Sequence, residues 1–130
     1  MASLVTSLGK GIIIDRTFLS APTKLAPTQF KVGTGTNAPS LSDTDLQTAV
    51  LIDADQFKNF VSGFPTVDLI NNEATTRMFL NTLEANGNTL TEMGVFNADG
   101  TEQLFSRATF SAVTKSSSNE VTFIQKDRMI

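Results

Sequence analysis

Leu90 to Phe110, LTEMGVFNADGTEQLFSRATF, is the stretch whose reading decides the fold. Apolar Met93, Val95 and Phe96 precede Asn97-Ala98-Asp99-Gly100, and Leu104, Phe105, Ala108 and Phe110 follow it. Two strand signals around an Asp-Gly turn predict a β-hairpin. Upstream lies Asn86-Gly87, a pair that tolerates the positive φ a two-residue hairpin demands. It is expected to fold Thr76 to Ala85 onto a strand beginning near Thr89, so that Thr76 to Phe110 forms one continuous antiparallel meander.

Further strand signals lie on both sides. Glu73 to Glu84 carries Met78, Phe79, Leu80 and Leu83, after a loop from Pro65 to Asn72. Lys115-Ser116-Ser117-Ser118-Asn119 reads as a polar turn before a last strand with Val121, Phe123 and Ile124, and Met129-Ile130 is an apolar pair that follows it. Gln29 to Val32 and Ala49 to Ile52 read as strands. Phe57, Phe60, Val61 and Phe64 fall at i, i+3, i+4 and i+7, the helical spacing, although a bulged antiparallel strand serves the same residues and suits the context better; the 54–64 segment is open between helix and strand. Pro22 and Pro27 bracket a connector. Before it, Leu4, Leu8 and Ile12 predict a short amphipathic helix from Ser3 to Asp15 with Ser3 as N-cap, weakened by Gly9 and Gly11. The fold class is therefore mainly β (α+β): an antiparallel β-sandwich or meander with a short N-terminal helix. One domain, 1–130, is expected, with 1–20 as an N-terminal helix or arm and 29–130 as a β-rich body.

Composition narrows the function. A chain of 130 residues can bury about two-thirds of its unfolded surface, enough for a core without staples. It contains no Cys and no His, which removes disulfides, thiol nucleophiles, the usual neutral-pH general base and the commonest metal ligand. An enzyme is not expected. Ten basic residues against 13 acidic give a net charge of -3 without a basic run, so the electrostatic footprint of a nucleic-acid binder is missing. The ten Phe residues are expected in the core. The longest aliphatic run, Ile12 to Ile14, is far too short for a membrane span, and the first residues lack the cationic start and apolar region of a signal peptide. No nucleic acid and no membrane partner is expected.

Candidate sites are few. Gly33-Thr34-Gly35 opens a turn-rich run through Ser40, but there is no third Gly and no following Lys-Ser or Lys-Thr, so it reads as a loop, not a phosphate cradle. Asp43, Asp45, Asp53 and Asp55 raise a metal hypothesis. Neither pair has the Gly and terminal Glu of an EF-hand, and solvated or capping roles are the simpler reading. Asn97, Asp99 and Glu102 read as a solvated hairpin tip. No catalytic, cofactor-binding or metal residue is assigned, and no cofactor is expected.

Three blocks together carry a resemblance. Phe30-Lys31-Val32-Gly33-Thr34-Gly35-Thr36 with Ala38-Pro39 and Asp43-Thr44, Leu90-Thr91-Glu92-Met93-Gly94-Val95-Phe96-Asn97, and Ser106-Arg107-Ala108-Thr109-Phe110 are similar to blocks in small virion structural proteins of tailed bacteriophages and in the N-terminal attachment modules of phage tail-fibre and tail-collar proteins. The resemblance covers about half the chain, chiefly Phe30 to Thr44 and Thr89 to Ile130.

The resemblance implies a β-rich module with an N-terminal helix, present in several copies, that joins parts of a virus particle through protein–protein contacts. Its partners would be other phage structural proteins of tail, baseplate, fibre or capsid, together with further copies of itself as a homo-oligomer. Its location would be the virion, after synthesis in the host cytoplasm. Fibres in this family continue into a shaft and tip that the sequence does not show, so an adaptor or baseplate part is expected rather than a host-reaching fibre. The alternative is a capsid decoration or head protein. More distant is a carbohydrate-binding module, for which Trp and Tyr, the usual stacking platforms, are both absent. Both apolar ends of the chain are expected to dock on neighbouring subunits.

Overall fold

A computed structural model describes residues 2–98 and 102–129. Its strands are β1 (Ala2–Val5), β2 (Pro27–Gly33), β3 (Lys58–Asn59), β4 (Thr66–Asp68), β5 (Glu73–Leu80), β6 (Asn88–Asn97), β7 (Leu104–Lys115) and β8 (Val121–Arg128), with one helix, α1 (Ser7–Phe18). Five strands form one sheet in the order β1-β7-β6-β2-β3, and three form a second in the order β4-β5-β8. All described pairings are antiparallel. The mainly β architecture with a short N-terminal helix is the expected class.

The core lies between the sheets. Phe30 and Val32 of β2, Met93 and Val95 of β6 and Ala108 of β7 pack with Met78 and Leu80 of β5, while Phe123 and Val121 of β8 close the cluster. Period-2 alternation explains the β8 contribution, where Phe123 and Gln125 turn inward and Thr122, Ile124 and Lys126 outward. β6 is different, because it is buried from Glu92 to Asn97 without alternation. Its second face is covered by the long connection from β2 to β3, which brings Leu46 and Phe57 against Gly94 and Phe96.

The meander expectation is corrected. β6 and β7 do form the hairpin, with Phe96 opposite Leu104, but β5 pairs with β4 and β8, not with β6. The turn at Asn86-Gly87 forms with Gly87 at φ 85, but the second residue of positive φ is Ala85, at φ 54, not Asn86. Residues 81–87 are too long for a two-residue hairpin, however, and Gly87 N–H bonds to Lys115 O. The turn therefore carries the chain from one sheet to the other. The polar turn after Lys115 does the same between β7 and β8. Within the hairpin connection Asn97 is buried, not a solvated tip: it accepts from Gln103 N–H through Oδ1 and donates to Leu25 O. Asp99 and Gly100 lie outside the described residues.

The N-terminus also departs from expectation. Residues 2–5 are a strand on the edge of β7, and the helix starts at Ser7 with Thr6 as its N-cap. Thr6 displaces Ser3 because its hydroxyl does two jobs, accepting from Gly9 N–H at 3.0 Å and donating to Leu104 O at 2.6 Å, in a fully buried setting. Gly9, which weakens the helix by propensity, is required by packing: a Cβ there would run into Phe105 O. The first residues are thus paired with β7 as an edge strand of the first sheet. Elsewhere, 57–64 contains only the two-residue β3, Ala49 to Ile52 reduces to a bridge between Gly33 and Ala49, and the expected loop after Pro65 contains β4.

Candidate functional site

Three separate stretches of the sequence meet at one carboxylate. Glu92 is 0% exposed, and its Oε2 accepts from Gly35 N–H at 2.7 Å and Thr48 N–H at 2.8 Å. Its Oε1 accepts from Gln47 N–H and from Arg107 Nε, both at 2.9 Å. Arg107 reaches on through Nη1 to Asp43 Oδ2 at 3.2 Å, while Nη2 is buried with no hydrogen-bond partner among the described residues. Gly33 and Gly35 are close enough to the carboxylate that a Cβ at either would collide with Oε2. A buried charge is tolerated only when paired and hydrogen-bonded, and here four donors surround it. The site clamps the 33–48 loop to β6 and β7.

The acidic residues singled out from the sequence disperse into separate roles. Asp43 belongs to the clamp. Asp45 pairs with Lys31 Nζ at 3.0 Å, which also sits 4.4 Å from the Phe57 ring centre and 4.9 Å from that of Phe96. Asp55 accepts from Gln56 and Phe57 N–H in a local turn. Among the described residues no three His, Cys, Asp or Glu side chains converge as a metal site. No described helix is long and apolar enough to cross a membrane.

What the surface offers instead is apolar side chains held in ordered turns. Leu69 and Ile70, 82% and 93% exposed, project from the β4–β5 turn. Asp68 staples that turn by accepting from Ile70 N–H, Asn71 N–H and Asn71 Nδ2. The Asn71 side-chain bond leads the contacts that hold the Asp68 carboxyl below its usual range. From the other side, Arg128 Nε donates to Asn71 O and Met129 N–H to Asn72 O, so the tip is braced by β8. Beside it a groove of about 430 Å³ runs between α1 and the second sheet, lined in part by Val5, Ile13, Val67, Phe105 and Met129. Asp127 borders this groove, and burial pushes its carboxyl above the usual range against the bond from Gln125.

A second apolar area lies at the end of α1, where Ile14, Phe18 and Leu19 are exposed. Phe18, at 76% exposure, departs from the expected core placement. Here too the backbone is pinned: Asp15 accepts from Thr23 Oγ1, Thr23 N–H and Lys24 N–H, and the Thr23 hydroxyl is the main cause of its lowered pKa.

Residue-type reasoning missed Leu69 and Ile70 by reading 65–72 only as a loop. The available signal was an adjacent apolar pair between Asp68 and Asn71-Asn72, a turn setting in which large apolar residues lack a reason to be. Met129 is exposed, and Ile130 lies outside the described residues. No family model, no curated protein and no solved structure matches the chain.

Proposed function

We propose that this protein is a structural component of a tailed-phage virion, a tail, baseplate or fibre-attachment part that acts through protein–protein interfaces and in several copies. The observation that carries the reading is the convergence of the three similar blocks. Gly35 and Asp43 from the first, Glu92 from the second and Arg107 from the third build one buried clamp, so the resemblance follows a physical unit rather than scattered identities. The clamp is a scaffold device: it fixes a long loop without leaving a reactive group accessible. The work then falls to the surface, where Leu69 and Ile70 on a stapled turn offer a preorganised apolar knob. Preorganisation lowers the ordering cost of binding, and apolar anchors filling a partner's pocket carry most of an interface's affinity.

Immunogold electron microscopy of purified particles tests the location. Label at the tail or baseplate is the expected result. Label spread over the capsid would replace the tail assignment with head decoration, and unlabelled particles with accessible epitopes would overturn the virion reading.

A further inference from the structure

We infer that β8 is a self-complementary edge along which two copies of this chain pair across a two-fold axis. Four strands end the two sheets, and three of them are blunt: β1 has four residues, β3 two and β4 three. Short edges are a common protection against strand addition. β8 has eight residues, contains no Pro, and pairs with β5 from Glu73↔Arg128 to Leu80↔Val121 without a bulge. Among the described residues, no backbone hydrogen bond reaches its other side.

The ladder sets which groups face that side. Met129 N–H bonds directly to Asn72 O, and in an antiparallel ladder the residues that bond to one neighbour alternate with those that point away. Thr122, Ile124, Lys126 and Arg128 therefore aim their N–H and C=O groups at the open edge. These residues are also the solvent-facing ones, and Ile124 is 55% exposed.

Charge chooses the occupant and the register. With Ile124 opposite Ile124 of a second copy, Thr122 falls opposite Lys126 and Glu120, the residue just before β8, falls opposite Arg128, and the same contacts repeat on the other side of the axis. Opposite charges directly across strands stabilise a pair and like charges oppose it. A two-fold interface requires this self-complementarity, and the two exposed apolar side chains meet at its centre. The result is one six-stranded sheet, β4-β5-β8 joined to its symmetry mate. Another open stretch, residues 110–115 of β7 beyond β1, has no acidic residue to match its only charge, Lys115.

The inference names an interface for the self-association in the virion reading but stands on β8 alone, so a chain that dimerises this way yet is absent from particles contradicts only that reading. The test uses single cysteines in the full chain, which has none of its own. Directly opposed bonded residues lie about 5.5 Å apart at Cα, within disulfide reach. Ile124→Cys should give a covalent dimer under mild oxidation, while Thr122→Cys alone should stay monomeric on gels. In sedimentation, Glu120→Arg and Arg128→Glu should each weaken the dimer at least tenfold, and the two together should restore it. A monomeric parent protein, equal cross-linking at 122 and 124, or no rescue by the charge swap would overturn the inference.

Discussion

Glu92 and Arg107 face each other from adjacent strands, Nε to Oε1 at 2.9 Å, with side chains 0% and 2% exposed. Their pairing is what fastens the 33–48 loop, because the same carboxylate also takes three backbone N–H groups of that loop. Removing the charge leaves the buried guanidinium with the partly exposed Asp43 as its one remaining ion-pair partner among the described residues. Glu92→Gln, although isosteric, is expected to lower the unfolding free energy by about 3–5 kcal/mol, read from urea denaturation. The double variant Glu92→Met/Arg107→Leu should cost less than the sum of its single changes by roughly 0.5–3 kcal/mol.

The two glycines of α1 are predicted to respond with opposite signs. Nothing lies within 4 Å of a Cβ added at Gly11, so Gly11→Ala should stabilise by about 0.5–1 kcal/mol through helix propensity. Gly9→Ala forces the helix away from Phe105 O and should destabilise by roughly 1–3 kcal/mol. Thermal melts of the two proteins decide this directly.

The apolar tip should be separable from the fold. Leu69→Ser/Ile70→Ser removes side chains that are almost fully exposed, and stability should change by no more than about 0.5 kcal/mol. Asp68→Ala removes the staple, so the amides of Ile70 and Asn71 should exchange faster than in the parent while the core amides do not.

Asp127 should give a pH signature. Its folded pKa is raised by burial, so the ionised form is disfavoured in the folded state at neutral pH. This penalty is present above the folded pKa and is relieved as pH falls through that value toward the unfolded one, where the folded protein takes the proton first. Asp127→Asn is therefore expected to raise the melting temperature at pH about 7 by on the order of 1–3 °C, with the advantage shrinking on acidification.

Local chemistry made much of this fold legible. The β6–β7 hairpin, the turn at Asn86-Gly87 and the polar turn after Lys115 all follow from residues that favour turns between apolar runs. Their partners were not legible, because an Asn-Gly turn dictates backbone angles and not which strand lies next to which. Thr6 was hidden as a cap for a related reason: its second hydrogen bond goes to Leu104 O, a contact across 98 positions. Glu92 and Arg107 lie on β6 and β7, and burial of an ion pair between two strands leaves no periodic trace in the sequence. The acidic residues read locally as solvated or capping groups, and only Asp43 joins the buried clamp.

Quantitative mass spectrometry of gradient-purified virus particles from cells that express this chain bears most directly on the virion proposal. The protein should be present in several copies per particle, in constant ratio to the major tail and head proteins. Its absence from particles, with normal accumulation in the infected cell, would contradict the proposal.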